Sequence, residues 1–475
     1  MRRSPSADNH TDHILGARWD VLVIGGGNAG LVAAISARHL GRRVLLLERA
    51  PIDLRGGNTR HARNIRCVHR TAGAYNTGSY LQDDFWSDLR RVEAARSNEK
   101  LAALTVAESE SVPSWTSDHG IRWQPVSSAA RQLGRTNRLI LGGGKALVNA
   151  YHSTLEQMGG TVLYNAFAHD LVIDGDRRTG AVVHVAGRVY TVSARAVVCA
   201  SGGRTADPGW LREHCGDATG SCCVRGSRYN DGTILKALYA HGAASAGQAN
   251  GFHAVPVDAR SPQFDGGIAT RIDSIPFGIL LDRTGQRFCD EGEHLPRRYG
   301  MWGRVLAGLP GQRAYSIWDA KANTAFRPPM SRPLQAASIA DLARMLGLDE
   351  GNACRAVASY NASIRRGGPF DPERRDGLCT VGLLPSKSNW AQRIDEPPFY
   401  AVAIRPGITF ANVGVAVTAQ ANVKRADGTA FPNIFAAGDI MAGNILPTGY
   451  LAGLGLTIGC VWGRIAGTAA AGFDA

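Results

Sequence analysis

Val21-Leu22-Val23-Ile24-Gly25-Gly26-Gly27-Asn28-Ala29-Gly30 decides the reading of this chain. Four consecutive apolar residues, three of them β-branched, fit a strand buried on both faces, as a parallel strand is. The run ends in glycines spaced Gly25-x-Gly27-x-x-Gly30. Gly25 allows the tight turn, Gly27 lets backbone approach a pyrophosphate, and Gly30 lets helix and strand pack closely. Leu31 to Leu40 then read as a helix with small residues on one face. Its N-terminus, with Asn28 and Ala29 in the turn, offers N–H groups and the positive dipole end to phosphates. Arg43 to Glu48 read as a second strand. Glu48, 18 residues after Gly30, would accept hydrogen bonds from ribose hydroxyls, with Arg49 beside it. Together these form one βαβ unit. The fold class expected is α/β with a Rossmann-like dinucleotide-binding domain.

Working outward, strands read at Thr161 to Tyr164, Ala181 to Val185, Val189 to Val192 and Ala196 to Ala200, the last running into Ser201-Gly202-Gly203. From about Asn250 to Gly377 proline and arginine rise, and helices read at Ile339 to Leu346 and Ala353 to Arg365. That stretch reads as an inserted α+β capping (substrate) domain, 250–377, between the two parts of the first domain, 19–249 and 378–475. Residues 1–18 read as a disordered tail. Asn433 to Asp439 look like strand and turn, and Gly455 to Ala470 like a closing helix.

The glycine motif alone does not separate NAD from FAD. Gly438-Asp439 after a buried strand puts a carboxylate where it could hold a ribityl chain. The helix beginning at Gly455 and Leu456 could aim its N-terminus at a flavin carbonyl. No second Gly-x-Gly-x-x-Gly follows a strand, since Gly142-Gly143-Gly144-Lys145 lacks the pattern. These residues point to FAD, with the redox partner external.

Formal net charge is +13, nearly all of the positive charge being arginine. The arginines are spread along the chain without a basic tract or interleaved aromatics, which argues against nucleic acid. A field that draws in small anions fits better. The nine cysteines are odd in number and include no Cys-x-x-Cys; no metal site is expected, and a reducing cytoplasm is. Nothing reads as a signal peptide or a membrane span, so the protein is not expected to be transmembrane itself.

Several segments carry a resemblance: Val23 to Gly30, Arg55-Gly56-Gly57-Asn58-Thr59-Arg60-His61-Ala62-Arg63-Asn64, Gly142 to Asn149, His253 to Arg260, Gly285-Gln286-Arg287-Phe288-Cys289-Asp290-Glu291, Arg405 to Phe410 and Ala442 to Leu446. With them the chain resembles the fumarate reductase/succinate dehydrogenase flavoprotein superfamily, and within it the FAD-dependent tricarballylate dehydrogenase family. The resemblance spans about Trp19 to Gly467. It implies an FAD domain with Gly57, Asn58, Thr59 and Gly202 among the cofactor contacts. It also implies α,β-dehydrogenation of a small carboxylic acid, with electrons passed to an external acceptor such as an iron–sulfur membrane protein.

Such chemistry needs a hydride acceptor, a base and a clamp on the substrate carboxylates. The resemblance implies that Arg298, or its neighbour Arg297, transfers the proton through a relay at Arg271 or Glu291, and that His253 contacts substrate or flavin. Arg405 belongs to the same implied carboxylate clamp. Thr59 stands where covalent members place a linking histidine, so FAD is expected to be non-covalent. Two departures bear on substrate. Phe410 replaces a histidine of the succinate enzymes, and Tyr450 replaces a clamp arginine. Thr448 stands where tricarballylate-type sequences carry a lysine. Thr448 and Tyr450 would hydrogen-bond a hydroxyl, carbonyl or amide, so the expected substrate is a relative of tricarballylate. A flavin oxidase or monooxygenase and a non-catalytic flavin binder are the alternatives.

Overall fold

The structure is a computed structural model that describes residues 5–94, 96–126, 134–174, 178–293, 302–365 and 368–473. The chain divides into two compact units. One comprises Met1–Cys215, Gly226–Phe252 and Phe410–Ala475; the other comprises Gly216–Arg225 and His253–Thr409.

The first unit is built on β1 (Arg18–Ile24), β2 (Val44–Leu47), β3 (Asn64–Arg66), β4 (Trp123–Gln124), β5 (Asn137–Ile140), β6 (Thr161–Leu163), β7 (Phe167–Asp174), β8 (Arg178–Val185) and β9 (Arg188–Cys199). β1 is central, paired in parallel with β2 and with β9, and β2 pairs in parallel with β6. Val21, Leu22 and Val23 are wholly buried, as a strand covered on both faces requires. β9 is a single strand where the sequence suggested two. At the expected interruption, Ser193 and Ala194 pair with β1 and β8 instead of breaking the strand. β3, β4 and β5 form a separate three-stranded sheet.

Helix α1 (Pro5–Gly16) corrects the expected disordered tail. Leu15 is buried in the core, Trp19 Nε1 donates to the Ile14 carbonyl at 3.0 Å, and Tyr190 donates to Asp12 at 2.7 Å. One buried leucine and a polar anchor hold a segment whose sequence shows little periodicity. Helix α2 (Asn28–His39) follows β1 and packs on the C-terminal helix, Leu454–Gly472. The contact is made by small residues: a Cβ at Gly463 would lie 2.6 Å from the Ala29 oxygen, and one at Gly467 2.2 Å from the Ala33 oxygen. The C-terminal helix is long and apolar enough to cross a membrane by length and composition. Here its Ile458, Val461 and Trp462 are fully buried in the core of this unit.

The second unit holds β10 (Cys223–Val224), the end of β11 (Ser245–Asp258), β12 (Ile279–Leu281), β13 (Ala314–Trp318), β14 (Leu334–Ala336) and most of β15 (Phe399–Val415). Strand alternation sorts its two faces. Ile279, Leu281, Ile317 and Ala401 pack with Leu342 and Tyr360. Leu280, Trp318, Val402 and Ile404 pack with Trp302 and Trp390. The expected insertion 250–377 lies almost wholly in this unit, but the unit continues to Thr409. Trp390 and Ile394 complete its cores and β15 pairs with β13. Gly216–Arg225 joins because Cys223 and Val224 pair with Gly407 and Ile408. The chain then returns to the first unit, where β16 (Asn422–Lys424) pairs with β17 (Ala430–Ala436), and β17 lies parallel to β9.

Candidate functional site

In the first unit the residues read as a cofactor site converge on the start of α2. Gly25 has φ +106°, and a Cβ there would sit 2.5 Å from the Ala200 oxygen; one at Gly30 would sit 1.9 Å from the Gly25 oxygen. Both positions exclude any side chain. A Cβ at Gly27 would meet nothing closer than Thr59 Oγ1 at 3.5 Å, so its bareness serves space beside the turn and not internal packing. Gly26, to which the sequence assigned nothing, is required because a Cβ would lie 2.6 Å from Glu48 Oε2. Glu48 is buried and accepts the Ala50 N–H at 2.8 Å and the Gly56 N–H at 3.2 Å. Burial pushes its carboxyl above the usual range against those bonds. Arg49 stacks over Phe167 at 4.0 Å and pairs with Asp231 at 2.6 Å.

Thr59 Oγ1 accepts the Asn28 N–H at 2.9 Å, so it caps α2 from outside the helix. The Asn28 side chain donates to the Leu456 carbonyl at 2.9 Å, tying α2 to the first turn of the C-terminal helix. Gly438 has φ +83° and its Cβ position is 2.7 Å from Ala29 Cβ. Asp439 faces Gly203, and burial pushes its carboxyl up to about 6. Gly202, at φ +85°, lies against Asn230. Gly57 has open space around it. Asn58 accepts from Ser227 N–H at 2.8 Å. Asn58 Nδ2, Ser201 Oγ and Asn230 Oδ1 are buried polar atoms without a partner among the described residues. Orphaned donors and acceptors cost free energy unless something bonds them. A dinucleotide with ribityl and ribose hydroxyls meets that need, so the cradle fits FAD.

The C-terminal loop departs from expectation at Thr448. Its hydroxyl donates to Glu93 Oε2 at 2.9 Å, so that proton is not offered to a substrate. Tyr450 lies with its ring 5.5 Å from Phe410 and its hydroxyl 4.0 Å from the Cβ position of Gly455. Phe410 is buried in the core. Tyr450 and Gly455 are therefore brought together at the start of the C-terminal helix.

In the second unit, His253 is neutral. Burial lowers its pKa to about 3, with Arg225, Arg304 and Arg271 adding to the effect. Arg225, on the residue after β10, is buried and donates to Thr409 Oγ1 at 2.9 Å and the Gly267 carbonyl at 3.1 Å. Arg271 pairs with Asp273 at 2.8 Å. Sequence reading missed Arg225 and Arg304. Arg225 left a trace, as a cation ending the apolar run Cys222-Cys223-Val224, whereas Arg304 left none. Arg405 instead donates to the Ser261 carbonyl at 3.1 Å, which ties it to a loop. Glu291 is no relay. It is fully buried, bonded by both oxygens to Arg287 and by Oε1 to the Leu280 N–H. Beside this pair burial lowers Lys387 to about 8 against the pull of Glu291. Arg297 and Arg298 lie outside the described residues.

The family described as FAD binding domain matches residues 20–456. The chain belongs to that family. Among curated relatives it is 24% identical over 442 residues to NADH:fumarate oxidoreductase of Klebsiella pneumoniae (strain 342), covering 90% of this chain and 44% of that protein. This chain thus spans less than half of that relative's length. It is 23% identical over 554 residues to 4-oxocyclohexanecarboxylate 2-dehydrogenase of Sinomonas cyclohexanicum, covering 96% of this chain and 94% of that one. Its fold matches the open conformation of a flavocytochrome c3 fumarate reductase at TM-score 0.79 and 21% identity, over 99% of this chain and 81% of that chain. It also matches 3-ketosteroid-delta4-(5alpha)-dehydrogenase from Rhodococcus jostii RHA1 at TM-score 0.71 and 21% identity, over 96% and 97%. The α/β flavoprotein fold expected from the opening strand is the fold observed.

Proposed function

We propose that the protein is an FAD-dependent oxidoreductase acting on a CH–CH bond of a small anionic acid, holding FAD non-covalently in the first unit. Bound FAD would supply the hydride acceptor. The observation that carries the substrate class is His253 in the second unit, held neutral by burial and by the positive fields of Arg225, Arg304 and Arg271. A neutral imidazole among guanidiniums suits a carboxylate, which Arg binds through paired N–H donors. The names of the relatives, a fumarate oxidoreductase and a 4-oxocyclohexanecarboxylate dehydrogenase, support a carboxylate with an adjacent unsaturable bond. Arg271 is already paired with Asp273, so Arg225 and Arg304 support an anionic acid, and the finer reading of a tricarballylate-like polycarboxylate rests on the resemblance. Tyr450 supports an added hydroxyl, carbonyl or amide group. Proton transfer remains assigned to Arg298, with Arg297 beside it, and electrons leave to an external acceptor.

The test is direct. Purified protein should show a flavin spectrum, and acid precipitation should release FAD into the supernatant. A dye-linked screen over polycarboxylates and their keto and amide analogues should find reduction with at least one acid. Sluggish reoxidation in air after anaerobic reduction is expected, whereas rapid reoxidation with peroxide would favour the oxidase reading. Protein without flavin would sink the proposal.

A further inference from the structure

Glu93, the last residue of helix α3 (Gln82–Glu93), is an acid wholly buried on the face of Phe85 and Leu89. No solvent reaches it, so its carboxylate must be satisfied by protein. It accepts three hydrogen bonds from one turn. These come from Thr448 N–H at 2.8 Å, Thr448 Oγ1 at 2.9 Å and Gly449 N–H at 2.9 Å. The same turn is held through its carbonyls. Asn412, also fully buried, donates to the Leu446 oxygen at 2.8 Å and the Gly449 oxygen at 2.6 Å. Gln248 N–H bonds the Pro447 oxygen at 3.1 Å. Gly449 is thus fixed at both ends of its backbone, and a Cβ there would lie 2.5 Å from Val92 Cγ1. The next residue is Tyr450.

We infer that Glu93 is a positioning residue: it orients the Leu446–Tyr450 turn so that Tyr450, and not Thr448, is the group presented to substrate. The part played by Tyr450 rests on the function proposed above; the part played by Glu93 does not. Bonds from a carboxylate to N–H groups are the strong kind, and three of them converge on two adjacent residues. A side chain with such an anchor keeps its direction through turnover, and small errors of placement are costly to rate.

The experiment compares Glu93→Gln, Thr448→Val and, as a surface control on the same helix, Asp83→Asn, in the FAD-loaded protein. Gln keeps the volume but sets an NH2 against donors, whereas Val removes one bond of the three. Hydrogen exchange followed by mass spectrometry is expected to show the 445–451 segment of Glu93→Gln exchanging about tenfold faster, with the C-terminal helix unchanged. Thr448→Val should change it by about threefold. In turnover, Glu93→Gln should lower kcat by about tenfold and leave KM within about twofold. Unchanged exchange in Glu93→Gln would overturn the inference. So would a larger rise in KM for Thr448→Val than for Glu93→Gln, since that would make Thr448 itself the substrate contact. Should Glu93→Gln not fold, Thr448→Val is judged against wild type: unchanged exchange of the 445–451 segment, or a rise in KM of about tenfold or more, would overturn the inference. If the wild type reduces no dye with any acid, the proposed function fails while the exchange result still judges Glu93.

Discussion

At the scale of single residues, His253 and Asp439 have both been moved towards neutrality, by burial in each case, and their pH signatures run in opposite directions. His253 titrates at about 3 in the folded protein and at about 6.5 unfolded. Between those values the unfolded chain binds more protons, so His253 makes stability fall as pH drops through that window. His253→Gln should shrink the loss of Tm between pH 7 and pH 4.5, read by scanning fluorimetry. It should also lower kcat/KM by roughly ten- to a hundredfold without moving a limb of the pH–rate profile between pH 5 and 8. A shifted limb would mean that His253 titrates during turnover. Asp439 titrates at about 6 folded against about 3.9 unfolded. Here the folded state binds more protons, and stability falls as pH rises from about 4 to about 6. Asp439→Asn should therefore raise the Tm of flavin-stripped protein by a few degrees at pH 7.5 and leave it unchanged at pH 4. The same change removes an acceptor from the cradle and should weaken FAD binding by about tenfold. Tighter FAD binding in titration calorimetry would rule out a ribityl contact.

At the scale of elements, what could be read ahead of the structure was whatever one short pattern encodes. The β1–turn–α2 unit was legible because an uninterrupted apolar run and glycines at fixed spacing each have one physical use. Ile339–Leu346 was legible as a helix with the same bounds. Helix α1 was not, because a single leucine supplies its anchor. Nor was the end of the second unit, because a buried strand reads alike in either sheet. Among candidate site residues, the convergence of Gly25 to Gly30 with Gly438-Asp439 was legible, while the internal partner of Thr448 was not, because it lies 355 residues away. Glu93 did leave a sign, an acid in register with Phe85 and Leu89 at four-residue spacing. The contact of α2 with the C-terminal helix is a further element-scale dependence. Gly467→Leu would push against the Ala33 backbone, at a cost of about 1–3 kcal/mol, and displace the start of α2 from the cradle. Lower Tm together with reduced flavin occupancy after gel filtration is expected. Gly472→Ala, on the same helix with nothing within 4 Å, should stay within about 0.5 kcal/mol of wild type. Full flavin occupancy in Gly467→Leu would separate this helix contact from FAD binding.

At the scale of the whole molecule, net charge and local arginines act over different ranges, and salt distinguishes them. A net charge of +13 spread over the surface makes a long-range field, whose reach is the Debye length, about 30 Å at 0.01 M and about 10 Å at 0.1 M. Such a field raises the encounter rate of anions and fades as salt is added. A buried guanidinium touching its ligand is screened far less. For a dicarboxylate substrate, kcat/KM should thus fall about three- to tenfold between 10 and 300 mM NaCl, whereas an uncharged amide analogue should change by less than about twofold. Arg225→Gln should act differently. It should raise KM for the anionic substrate by about tenfold at every ionic strength and leave the salt slope as in the wild type, because one charge in thirteen barely alters the field. If Arg225→Gln abolished the slope, the apparent steering would come from that one side chain and not from the molecule. If anionic and neutral substrates shared one slope, salt would be acting on the protein and not on the encounter. Parallel slopes displaced in KM are what a diffuse positive surface combined with a local arginine clamp requires.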